Sequence, residues 1–126
     1  MDNDRFELGL KIRKSVLGEN YVNQSINNVD DFTQPLQELV TEYCWGTIWA
    51  REALSKAERS LINLSMIAAL NRPHELKLHI KGALRNNVPK EKIREVLLQV
   101  AIYCGVPAAV DSFRIATEAI QEYEGE

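Results

Sequence analysis

Apolar residues recur at intervals of three and four along most of this chain, and this spacing is typical of α-helices that bury one face. No stretch alternates apolar and polar residues as a half-buried strand would. The pattern therefore predicts an all-α fold, with a single domain of about six helices over residues 1–126. The predicted helical segments are 5–17, 36–43, 55–70, 74–86, 93–101 and 107–120.

Local signals mark where these helices begin and end. Gly18 ends the first helix, and Ser55 with Glu58 forms a capping-box pattern that opens the third. Gly105 is predicted to cap the fifth helix, and Pro107 opens the last. Residues 19–31 are rich in Asn and Asp and are predicted to be a loop or a weak helical turn. The helix after Ser55 is apolar on most sides, so we expect it to be central and buried.

The composition excludes several classes of protein. The net charge is −3 and no run of Lys or Arg is present, which argues against a nucleic-acid partner. The apolar stretches are far shorter than a membrane span, and we expect no signal peptide. Cys44 and Cys104 have neither CxxC spacing nor a disulfide pattern, so we expect two free thiols in a cytoplasmic protein.

Both tryptophans and one cysteine lie in a single short segment, Tyr43-Cys44-Trp45-Gly46-Thr47-Ile48-Trp49-Ala50-Arg51. Two interpretations are open from this cluster alone. The large rings could simply pack in a core. Alternatively, two indoles, a flexible glycine and a guanidinium could wall and anchor a small anion. The first interpretation is the more common outcome for such a segment.

The titratable residues offer one candidate for catalysis. His79 lies one helical turn after Glu75, so the two share a helix face, and a Glu–His pair at a core edge could support proton transfer. A surface ion pair is the competing interpretation. No third ligand accompanies the pair, so we expect no metal site. Three arginines could each bind a carboxylate or be ordinary surface charges, namely Arg51, Arg59 and Arg72. Tyr103 could donate a hydrogen bond into a pocket.

Several of these segments, in this order, resemble the carboxymuconolactone decarboxylase family. The resemblance covers roughly residues 36–120. The matching motifs are Tyr43-Cys44-Trp45-Gly46-x-x-Trp49-x-Arg51, Arg59-Ser60-Leu61, Glu75-Leu76-x-x-His79 and Leu97-Leu98-Gln99-x-x-x-Tyr103-Cys104-Gly105-Val106-Pro107-Ala108.

The resemblance implies an alkylhydroperoxidase-like helical bundle and a homo-oligomer, with a hexamer favoured. It implies cofactor-independent decarboxylation of γ-carboxymuconolactone to β-ketoadipate enol-lactone, a step of protocatechuate catabolism. In this assignment His79 is the proton donor or the oxyanion donor, and Glu75 orients it. The residues implied to bind substrate are Arg51, with Arg59 as the alternative, and the pocket walls Trp45, Trp49 and Tyr103.

Two other functions remain open at this point. The wider superfamily includes thiol-dependent peroxidases that use Cys-x-x-Cys-x-x-x-His. The same spacing here contains Arg72, Glu75 and His79, so both redox cysteines are absent. The other alternative is a non-catalytic oligomer that binds a small acid.

Overall fold

The computed structural model describes residues 3–126, and every regular element among them is helical. The all-α prediction is therefore confirmed, with seven α-helices and one π-helix in the described chain where about six helices were expected. The elements are α1 Asn3–Leu17, α2 Glu19–Asn27, α3 Gln34–Leu39, the π-helix Val40–Ile48, α4 Lys56–Ala69, α5 Pro73–Arg85, α6 Lys90–Cys104 and α7 Val106–Glu124.

The chain divides into two compact units, the first ending at Ser55 and the second spanning Lys56–Glu126. In the first unit, α1 packs against both α2 and the π-helix, and α3 leads directly into the π-helix. Gly18 separates α1 from α2 with a φ of 94°, a conformation that residues with a side chain rarely adopt. The predicted end of the first helix is thus confirmed.

In the second unit, α7 packs against α5 and α6, and α4 packs against the same two helices. Gly105 joins α6 to α7 with a φ of 106°, as the sequence predicted for a helix end. One apolar core lies between these four helices. Its fully buried members include Leu64, Ala68, Leu76, Ile80, Ala83, Ile93, Leu97 and Ala119.

Two local predictions differ from the structure. Residues 19–27 form helix α2, where a loop or weak turn was predicted, and Val22 is completely buried there. Packing against α1 overrides the low helix propensity of the Asn residues. The second difference concerns α4, which buries Leu64 and Ala68 but leaves Ile62 and Met66 largely exposed, so only one face of this helix is central.

No helix of residues 3–126 combines the length and apolar character that a membrane crossing requires. Several large apolar side chains are exposed near the α6–α7 junction, namely Ile102, Tyr103, Val106 and Val110. Exposed apolar surface of this kind is what the predicted homo-oligomer would cover, and the oligomer stays a prediction.

Candidate active site

His79 lies on the buried face of α5, with Leu76, Ile80 and Ala83 as neighbours on that face. The spacing of three and four residues that places these apolar residues in the core also places the imidazole there. His79 is only 9% exposed. Titratable side chains are seldom buried on an otherwise apolar helix face, so the burial of this imidazole makes His79 a candidate functional residue.

Burial lowers the pKa of His79 from 6.5 to about 4, because desolvation disfavours the charged imidazolium. His79 is therefore neutral near pH 7. Glu75, one turn earlier, is exposed to solvent. Burial accounts for the lowered pKa, and an ion pair with Glu75 would have raised it. The orienting role predicted for Glu75 stays a prediction.

We expect stability to depend on pH through His79. Well above pH 6.5 the imidazole is neutral in both the folded and the unfolded chain. As the pH falls from 6.5 towards 4, only the unfolded chain takes up the proton, so the free energy of unfolding falls by about 3 kcal/mol in total.

The measurement is urea denaturation of the wild type and His79→Gln at several pH values between 7.5 and 4.5. The wild type should lose stability more steeply than His79→Gln as the pH falls. His74→Gln is the matched control, since His74 is exposed at the start of the same helix, and its curve should parallel the wild type. Parallel curves for the wild type and His79→Gln would contradict this account.

Trp45 lies within the π-helix of the first unit, and Trp49 directly follows its last residue, Ile48. Trp45 and Trp49 are both buried, and their rings stack with centroids 4.6 Å apart and planes inclined by 30°. Mutual stacking and burial agree with the core-packing interpretation of the cluster. Their role as pocket walls stays a prediction. Arg51 follows two residues later and is exposed.

Gly46, between the two tryptophans, is needed for close helix packing. A Cβ atom at Gly46 would lie 2.3 Å from the backbone oxygen of Arg5 on α1. A Cβ atom at Gly9, on α1, would lie 2.0 Å from the backbone oxygen of Thr41 and 2.8 Å from the nitrogen of Gly46. Gly46 is therefore a point of helix contact inside the π-helix, where only glycine fits.

The remaining predicted residues are distributed over α4 and α6 of the second unit. Arg59 is half-buried in the first turn of α4, while Tyr103 near the end of α6 is 81% exposed. Tyr103 lines a groove of about 460 Å³ between α4 and α6. The other lining residues are Leu61, Ile62, Ser65, Met66, Ala69, Val96, Gln99, Val100 and Cys104.

Among residues 3–126, no cationic side chain lines this groove, and its surface is mainly apolar. His79 does not line it either. Tyr103 therefore lines an apolar groove that does not include His79, the predicted catalytic residue. Its predicted role as a wall of the substrate pocket stays a prediction.

Buried polar groups that the sequence analysis did not single out lie in both units. In the first, Arg13 on α1 is 5% exposed, and Glu42 in the π-helix is also buried. In the second, the Asn86 amide donates a hydrogen bond of 3.2 Å to the buried hydroxyl of Ser60. Arg13 could have been found from the sequence, because it falls on the same helix face as Gly9, Ile12 and Val16.

Comparison with known proteins shows the class to which this helical chain belongs. The profile of the carboxymuconolactone decarboxylase family matches residues 34–118, a range that spans parts of both units. The chain belongs to this family, as the sequence motifs predicted. It is a decarboxylase, a carboxy-lyase in reaction class.

Two relatives with assigned activities cover nearly the whole chain. A nitrosuccinic acid decarboxylase of Metarhizium robertsii is 41% identical over 117 residues, which is 93% of this chain and 82% of the relative. A 4-carboxymuconolactone decarboxylase of Acinetobacter baylyi is 35% identical over 121 residues, which is 96% of this chain and 90% of the relative. Decarboxylation is common to the two names, whereas the substrates differ.

Proposed function

We propose that this protein decarboxylates γ-carboxymuconolactone to β-ketoadipate enol-lactone without a cofactor. Membership of the family and the 35% identity to the Acinetobacter baylyi enzyme support this substrate. The buried, neutral His79 is the structural observation that carries the proposed mechanism.

The chemistry needs no cofactor because the substrate carries its own electron sink. The carboxylate that leaves is attached to a ring carbon vinylogous to the lactone carbonyl. When the carbon–carbon bond breaks, carbon dioxide departs and the electron pair moves through the double bond onto the carbonyl oxygen. The resulting dienolate takes up one proton, derived from solvent, on carbon. The protein has to bind the retained carboxylate, stabilise the oxyanion and exclude water from the reacting carboxylate.

The low pKa of His79 favours one of its two predicted roles. With a pKa of about 4, roughly one molecule in a thousand carries an imidazolium at pH 7 in the free protein. A neutral imidazole still has one ring N–H, which can donate a hydrogen bond to the developing oxyanion. We therefore assign His79 as the oxyanion donor. A preorganised donor in a dry environment contributes a few kcal/mol to the transition state.

Arg51 is the first candidate to bind the retained carboxylate, with Arg59 as the alternative. An exposed guanidinium such as that of Arg51 is accessible to an incoming dianion and can bind a carboxylate in bidentate fashion. This pairing exists in both the ground state and the transition state. It would therefore lower KM more than it raises kcat.

Nitrosuccinate is the second candidate substrate, favoured by the 41% identity to the Metarhizium robertsii enzyme. It is also a small dicarboxylate with an internal electron sink. Loss of the carboxylate on the nitro-bearing carbon would leave the electron pair on the nitro oxygens. Both reactions thus present the protein with one retained carboxylate and one developing oxyanion.

The test is a direct comparison of the two substrates with the purified protein, treated with chelator. Loss of the lactone absorbance together with carbon dioxide release would support the proposal. Turnover of nitrosuccinate with no turnover of the lactone would replace it with the second candidate. Binding of both dianions without turnover would instead indicate a small-acid-binding protein, and dithiol-dependent consumption of peroxide would indicate the thiol chemistry.

We expect turnover to be independent of the two thiols. Cys44 is an exposed residue, but partial desolvation of its thiol raises the pKa, and the opposing charge of Arg13 does not cancel this effect, so the reactive thiolate form is disfavoured. The double variant Cys44→Ser, Cys104→Ser should retain turnover within about tenfold of the wild type, since neither thiol takes part in the proposed chemistry. Circular dichroism confirms that the variant is folded. Loss of turnover in a folded double variant, reproduced by alkylating the wild type, would contradict the thiol-free mechanism.

A further inference from the structure

Arg13 of α1 bridges the point in the first unit where an α-helix changes into a π-helix. Helix α3 ends at Leu39 and the π-helix begins at Val40. One guanidinium nitrogen of Arg13, Nη1, donates hydrogen bonds to Oε1 of Gln37 at 2.9 Å and to Oγ1 of Thr41 at 3.4 Å. The two acceptors lie on opposite sides of the junction, so a single buried side chain of α1 fixes both.

The position of this junction determines which side chains of the π-helix face α1. A π-helical turn inserts an extra residue relative to an α-helix, which rotates every later side chain by about 100°. In the observed register, Gly46 faces the backbone of Arg5, where no Cβ atom fits. A slip of one residue would bring Trp45 or Thr47 to this contact. The register and the placement of the indoles are therefore coupled.

The electrostatic effect of Arg13 extends into the middle of the π-helix. Its positive charge acts on the thiol of Cys44, the exposed residue directly before Trp45, and opposes the rise in pKa that partial desolvation causes. The hydroxyl of Thr47 donates a hydrogen bond of 3.1 Å to the backbone oxygen of Glu42, which further holds the π-helical turn. Arg13 thus acts at the start of the segment that carries both tryptophans.

We propose that Arg13 is a positioning residue for the decarboxylation. By bridging Gln37 and Thr41 it holds the π-helical register that sets the stacked pair of Trp45 and Trp49 for substrate binding. This inference rests on the proposed function and on the predicted role of the two indoles as walls of the substrate site. Arg13 itself does not touch the reacting atoms.

The tryptophan pair supplies a readout that is independent of activity. The chain contains two tryptophans, so all of the indole signal in circular dichroism and fluorescence comes from this stack. Arg13→Met should change the indole circular dichroism. It should also raise KM about tenfold or more and change kcat less than about threefold, because a misplaced wall weakens the binding of substrate and transition state alike.

Two further variants make the comparison specific. Arg13→Lys keeps the charge but lacks the forked donors, so it should give intermediate values of KM and of the indole signal. Lys11→Met removes an equal charge from an exposed position of α1, and it should behave as the wild type. If Arg13→Met does not fold, Gln37→Met removes the 2.9 Å acceptor while keeping the guanidinium, and it should shift KM and the indole signal in the same direction.

Two results would overturn the positioning role in an active protein. One is a folded Arg13→Met or Gln37→Met variant with unchanged KM and an unchanged indole signal. The other is a changed indole signal with unchanged KM, since the register of the π-helix would then not affect substrate binding. A wild-type protein that turns over neither lactone nor nitrosuccinate would instead refute the proposed function, so the two failures are distinguishable.

Discussion

Turnover of γ-carboxymuconolactone by His79→Ala is expected to fall by about 10²–10³, which is the usual cost of removing one oxyanion donor. The buried imidazole is neutral near pH 7 and can donate one N–H. Because the interaction strengthens as charge develops in the transition state, kcat should fall with kcat/KM. Steady-state kinetics on the folded variant, verified by circular dichroism, measures this effect.

A second substitution at the same position separates the oxyanion donor from the general acid. The amide of His79→Gln can still donate a hydrogen bond but cannot supply a proton, so it should recover part of the lost rate if His79 is the oxyanion donor. Equal losses in His79→Ala and His79→Gln would point to the general-acid role. His74→Gln, on the same helix, is the exposed control and should retain full turnover.

Near-wild-type turnover by His79→Ala would remove His79 from the mechanism. The donor would then have to be sought at Tyr103 or in an ordered water molecule. The buried imidazole of α5 would in that case be a structural feature of the core.

Gly9→Ala is expected to lower the free energy of unfolding by about 2 kcal/mol or more, a typical cost of overpacking. The added Cβ atom would lie 2.0 Å from the backbone oxygen of Thr41, and a backbone atom cannot rotate away as a flexible side chain could. Alanine favours a helix over glycine by roughly 0.5–1 kcal/mol, and the steric cost exceeds this gain. The helix α1 and the π-helix would have to move apart.

Urea denaturation at one fixed protein concentration measures this change. Gly125→Ala is the control, because its Cβ atom would meet the nearest backbone oxygen at an ordinary 3.4 Å, and its stability should stay within about 0.5 kcal/mol of the wild type. Gly46→Ala, on the other side of the same contact, should resemble Gly9→Ala. A Gly9→Ala protein as stable as the wild type would show that the two helices are less closely packed than observed.

Much of the fold was predictable from the sequence because it depends on local signals. The spacing of apolar residues identified the helices around Leu64, Ile80 and Leu97, and Gly18 and Gly105 marked helix ends because only glycine tolerates their backbone conformations. The family was predictable as well. Its motifs are contiguous in the sequence and need no knowledge of packing.

Other features were decided by tertiary structure alone. Helix α2 forms against its local propensity because α1 buries Val22. The π-helix depends on the fit of Gly46 against α1, which no local pattern shows. Likewise, the spacing of Glu75 and His79 predicted a shared helix face but not that one residue would be buried and the other exposed. A sequence pattern specifies which residues share a face, whereas the burial that neutralises His79 depends on the helices that cover that face.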